Sequence, residues 1–209
     1  MAVPLRAGSP DAHRWIDQAL TDLTEVALED DAARACTLLR DVARCAGPRA
    51  KGPLGPILRE LSHPRRDWPE KLWLTMLIAI AELSPGLDPD ARSAIRRVGA
   101  SRRCFDAAIS LLAPSHADDA ALLAESHAAR LVGSASPREG AKVLAGLGRL
   151  LLRAHFAPHR ARILATFADA PPKARAALRA AVGNAIDDEP WNQGIGATVL
   201  AEIDALRGP

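Results

Sequence analysis

The chain has 209 residues, of which 48% are hydrophobic, and 27 Lys plus Arg stand against 25 Asp plus Glu, a formal net charge of only +2. That length buries a substantial core without disulfides or metals, and that charge balance by itself argues for neither a nucleic-acid nor a membrane partner. Ala (43) and Leu (28) dominate, Tyr is absent and Phe numbers 3; a sandwich or barrel draws on more aromatic and β-branched residues, so an all-α protein is expected.

Residues 1–10 read as a flexible tail, and Met1 to Ser9 lack the apolar core of a signal peptide. Beyond the tail, periodicity and punctuation predict helices over about 11–29, 31–46, 53–62, 69–83, 89–99, 102–113, 116–133, 137–156, 159–169, 172–186 and 191–207. Asp67-Trp68-Pro69-Glu70 and Ser136-Pro137-Arg138-Glu139 each set a side-chain cap three residues before a Glu, the spacing of a capping box. Asp88-Pro89, and Ser115 with Asp118, are similar starts. Gly47, Gly99, Gly133 and Gly183 read as ends, where glycine takes the left-handed conformation that closes a helix. Leu72 to Ile80 is apolar almost all round except for Thr75, which predicts a central helix covered on several sides. Leu72 to Ala81, the longest apolar run, is about half the length of a membrane span.

Helices of ten to twenty residues joined by short links pack as antiparallel hairpins. The expected architecture is an irregular array of about ten or eleven short antiparallel helices, either an α-solenoid or a multi-helix bundle. One domain over 1–209 is the default, with two smaller ones as the alternative.

An internal similarity favours stacking. Ala91-Arg92-Ser93-Ala94-Ile95-Arg96-Arg97-Val98-Gly99 and the stretch Ala174 to Gly183 both read A-R-x-A-[I/L]-R and then Val-Gly, at an offset near two HEAT-sized units of about 40–47 residues. The segment from Asp88 to Gly99 followed by Ala107 to Leu112 resembles one helical hairpin of the HEAT-repeat family. The resemblance covers residues 88–113, and loosely 174–183. It implies stacked hairpins in which Asp and Arg brace neighbouring repeats while small and aliphatic residues pack between helices.

Motifs for catalysis are missing. There is no phosphate loop, nucleophile elbow or zinc-binding H-E-x-x-H helix, so no catalytic residue, cofactor or metal ligand is assigned. Gly146-Leu147-Gly148 and Gly194-Ile195-Gly196 lack the preceding strand of a dinucleotide site and read as close packing or a bend. His155 and His159 have the spacing of two metal ligands on one helix, but Pro158 between them starts a new helix, and both are expected to face solvent. Asp30-Asp31, Asp118-Asp119 and Asp187-Asp188-Glu189 lie at predicted helix boundaries, where carboxylates cap N–H groups and oppose the helix dipole. Cys36, Cys45 and Cys104 have neither framework nor CxxC spacing, as expected of buried thiols in a reducing cytoplasm. Cys104, after Arg102-Arg103, has the only electropositive setting.

Charge distribution carries the remaining signal. Asp11 to Asp31 holds seven acidic residues against Arg14, Arg92 to Arg103 holds five Arg and no acid, and Arg138 to Arg179 holds nine basic residues against two acidic ones. Arg outnumbers Lys 23 to 4, a bias that high-GC coding alone produces, so solvated faces are the simplest reading. Beyond it, the sequence points to a non-catalytic adaptor or regulatory protein that offers a helical surface of polarised charge to a protein partner. Arg96, Arg97, Arg102 and Arg103 at one predicted turn, Arg153, Arg160 and Arg162 at another, and Trp68 are the expected contacts. The alternatives are a HEAT-like nucleic-acid binder that uses these arginines on phosphates, and a helical enzyme whose site is spread over distant side chains. Trp191, which follows Pro190, either packs on its own helix or stands exposed.

Overall fold

The computed structural model describes residues 14–15, 17–19, 21–22, 32–46, 58, 62, 70–84, 86–133 and 140–206. The tail 1–10, Trp68, Asp30-Asp31, Gly47, most of 53–62, the starts at Asp67 and Ser136 and the side chains of Cys36 and Cys45 lie outside the described residues. Every regular element among the described residues is helical, and none of these helices is long and apolar enough to cross a membrane. Two compact units divide at Val98 and Gly99.

In the first unit, α1 (Ala32–Ala46) buries Ala35, Leu39 and Val42, a stripe at helical spacing, and packs on α2 (Glu70–Leu83). Met76, Leu77, Ala79 and Ile80 of α2 are buried, but Ile78 is 58% exposed. The all-round apolar helix thus turns one face outward, where a single exposed Ile is tolerated. A turn with Leu87 at φ 45 leads to α3 (Pro89–Gly99). Here the expected start is realised. Asp88 Oδ1 accepts from the Ala91 N–H at 3.0 Å, and the Asp88 N–H donates to the buried Ser84 hydroxyl at 3.0 Å.

The second unit opens with a turn at Ser101–Cys104 and contains α4 (Phe105–Leu112), α5 (Ala117–Val132), α6 (Ala141–Leu151), α7 (Ala157–Ala168), α8 (Pro172–Asp188) and α9 (Gln193–Ala205). Short 3-10 turns, Ala154–Phe156 and Pro190–Asn192, precede α7 and α9. The sequence expected one helix over 137–156; it stops at Leu151 because Arg153 is extended and Pro158 opens α7. Side-chain caps are absent at the starts of α4 to α9. The residue before α5 is His116, not Ser115.

Contacts in this unit skip along the chain. Helix α4 packs on α6 and α6 on α8, while α5 packs on α7; α4 also meets α5, and α8 meets α9. Phe105, Leu112, Val143, Leu147, Leu151, Phe156, Ile163, Phe167, Val182 and Val199 fill the interior.

Glycines set the approach of these helices. A Cβ at Gly148 would meet the Ala181 carbonyl oxygen at 2.6 Å, and one at Gly146 would meet the Phe105 ring at 3.1 Å. Gly196 abuts Ile186 in the same way. Gly99 is not left-handed, and a Cβ there would lie 2.6 Å from Ala108 Cβ; close packing selects this glycine. Gly133 is also right-handed, at φ -80. Gly183 ends nothing, since α8 runs on to Asp188, and open space surrounds its missing Cβ. The two Val-Gly positions of the internal similarity therefore do different jobs.

Candidate functional site

Charged side chains of the second unit mostly face one another across helix pairs. Arg149 on α6 meets Asp106 on α4 at 2.8 Å. Arg162 on α7 meets Glu125 on α5 through two contacts, Nε to Oε1 at 2.8 Å and Nη2 to Oε2 at 3.2 Å. His159 on α7 lies 3.6 Å from Asp118 on α5. Arg160 on α7 meets Glu202 on α9 at 3.5 Å, and Arg179 on α8 meets Asp204 on α9 at 3.0 Å. Two arginines instead hold backbone: Arg130 donates to the Ala100 carbonyl and Arg175 to the Ala168 carbonyl. The local excess of basic residues after Arg138 is thus largely offset by carboxylates distant in sequence.

This pattern decides where the expected contact residues sit. Arg153 meets Glu189 at 3.8 Å, while Arg160 and Arg162 engage Glu202 and Glu125. The three arginines of that turn are sent to three different elements, and Arg160 is only 7% exposed. Arg96 and Arg97 are half-buried on α3 in the first unit, and each is already engaged. Arg102 is half-buried and engaged, and Arg103 is exposed, both in the second unit.

His155 is exposed as expected, whereas His159 is half-buried beside the Phe156 ring, with centroids 5.3 Å apart. The intervening Pro158 puts the two histidines on different elements. Among the described residues no group of three or more His, Cys, Asp or Glu side chains is arranged to hold a metal. Cys104 is fully buried at the start of α4. His127, buried on α5, stacks on Phe105 at 4.4 Å and places Nε2 2.8 Å from the Gly99 carbonyl oxygen. Burial, with smaller contributions from the nearby Arg130 and Arg102 charges, holds its imidazolium form below the ordinary histidine range despite that hydrogen bond.

Grooves follow the helix pairs. One of about 250 Å³ between α4 and α6 is rimmed by Asp106, Arg149, Arg153 and His155. One of about 270 Å³ between α6 and α8 has a floor of alanines and Leu144, with Arg149, Asn184 and Asp188 at its edge. In the first, the facing Asp106 and Arg149 already neutralise each other.

The feature that sequence reading left undecided is Trp191. It stands 78% exposed in the 190–192 turn, so it does not pack back on its own helix. The turn beneath it is firmly made: Asn192 N–H donates to the Glu189 carbonyl at 3.0 Å, and its Nδ2 donates to Glu189 Oε2 at 2.8 Å. Pro190 fixes the first position. Immediately before it, Asp187 and Asp188 are exposed and close α8 at its C-terminal end. They were expected to oppose a helix dipole; at this end they add to its negative pole. The Pro-Trp and Asp-Asp dipeptides were visible in sequence, but which end of a helix they occupy was not. Comparison with family models, with curated proteins and with solved structures returns no match.

Proposed function

We propose that this protein is a non-catalytic helical scaffold, HEAT-like in the stacking of its second unit, that binds a protein partner. The skipping contacts of the second unit support stacking, because α4 leans on α6, α5 on α7 and α6 on α8. The inter-helix carboxylate–arginine pairs support a bracing role for most of the arginines of the second unit.

One observation carries the binding reading: a tryptophan, 78% exposed, displayed on a hydrogen-bonded turn. Burying an aromatic of this size removes a large apolar area from water, and Trp is enriched at binding hot spots. A preformed turn lowers the ordering cost of docking it. On this proposal the 190–192 turn is the contact surface, and Arg153, Arg160 and Arg162 serve as braces.

The test uses wild type and W191A as baits in native lysate, after matching their melting temperatures. A partner retained by wild type and lost by W191A is expected. Equal recovery of every protein overturns the reading. So does binding of random-sequence DNA or RNA, by fluorescence anisotropy, that collapses between about 50 and about 200 mM salt, the mark of phosphate contacts.

A further inference from the structure

Among the described carboxylates of the second unit, Asp106, Asp118, Glu125, Glu189, Glu202 and Asp204 each have a basic partner. Asp169, at the end of α7, has none among the described residues, and neither have the adjacent Asp187 and Asp188. They close a helix of 17 residues whose last turn contains no basic residue. Carboxylates at a helix C-terminus are repelled by its unsatisfied carbonyls, so the position is unfavourable unless something cationic covers it. Three and four residues on stands Trp191. Its ring face attracts cations through the aromatic quadrupole, and its 78% exposure leaves that ring open to solvent. Glu189 is spent inward, on Asn192 and Arg153, and holds the turn while its two neighbours remain outside.

Resting on the scaffold reading above, we propose that the surface formed by Asp187, Asp188 and Trp191 docks a basic segment of the partner protein, with a guanidinium or ammonium group over the Trp191 ring and beside the two carboxylates. Charge complementarity selects this occupant: an acidic segment meets like charge, and a nucleic-acid backbone is repelled for the same reason.

Fluorescently labelled octa-arginine is the probe and octa-glutamate the control, titrated by polarisation at about 50 mM salt, low enough to leave surface charge unscreened. The full chain is compared with W191A, D187N/D188N and D169N. Octa-arginine is expected to bind, with affinity falling roughly tenfold in W191A and in D187N/D188N and unchanged in D169N; octa-glutamate is expected not to bind. D187N/D188N is also expected to melt at a higher temperature than wild type, because the charges oppose the helix pole. Equal affinity across all four proteins overturns the inference, as does a lower melting temperature of D187N/D188N. Self-association abolished by W191A in sedimentation overturns it in favour of a second copy. A lysate partner lost by W191A but kept by D187N/D188N also overturns it, and leaves the scaffold reading standing.

Discussion

His127 and Gly99 are joined at 2.8 Å, imidazole nitrogen to backbone carbonyl, inside a shell closed by the Phe105 ring. The carbonyl only accepts, so Nε2 carries the proton and a neutral ring suffices to make the bond. A second proton would place a buried cation near Arg102 and Arg130.

The pH dependence follows. The folded-state pKa is below the ordinary 6.5, so the unfolded chain takes up the proton first on acidification. Stability from His127 is full above the unfolded value and falls as pH drops from about 6.5 through the lowered folded value. The wild-type melting temperature is expected to fall between pH 7 and pH 5 more steeply than that of H127Q, which loses the titration. Parallel curves for the two proteins would disprove the assignment.

Gly148 and Gly183 make a controlled pair. A methyl at Gly148 strikes the Ala181 backbone, which has no rotamer to change, so α6 and α8 must separate. G148A is expected to destabilise by about 1–3 kcal/mol, as overpacking does. G183A fills open space within α8 and is expected to stabilise by about 0.8–1.0 kcal/mol through helix propensity. Urea denaturation of both variants checks this; opposite signs are required.

The arginine braces differ in weight. Arg162 and Glu125 are partly exposed, at 49% and 25%, and R162A is expected to cost no more than about 1 kcal/mol. The Arg160 side chain is only 9% exposed. E202A strands its guanidinium and is expected to cost about 1–3 kcal/mol, while R160M, which removes the charge but keeps the length, costs less than E202A. Urea midpoints decide; E202A milder than R162A would show that Arg160 does not depend on Glu202.

Local periodicity made the helices readable. The Ala91, Ala94, Ile95 and Val98 stripe and the Asp88 start are one-dimensional signals, and both appear in the structure. Glycine roles were harder, because the same Val-Gly pair ends α3 and lies within α8; the neighbour that a Cβ would strike is set by another helix. The ion pairs were invisible for the same reason. Arg162 and Glu125 are 37 residues apart, and a run of arginines looks alike whether it faces solvent or a carboxylate. Trp191 was legible as a residue after a proline, and its exposure followed only from the path of the 3-10 turn.

The skipping contacts of the second unit have a kinetic side. Because α4 meets α6, α5 meets α7 and α6 meets α8, support for each helix comes from within one or two elements along the chain. Such local wiring keeps loop-closure costs low and favours rapid folding. It also makes cohesion a chain of neighbours, in which loss of α9 withdraws support first from α8. The turn that displays Trp191 joins α8 to α9, and a ligand seated there would tie α9 to the helix it leans on.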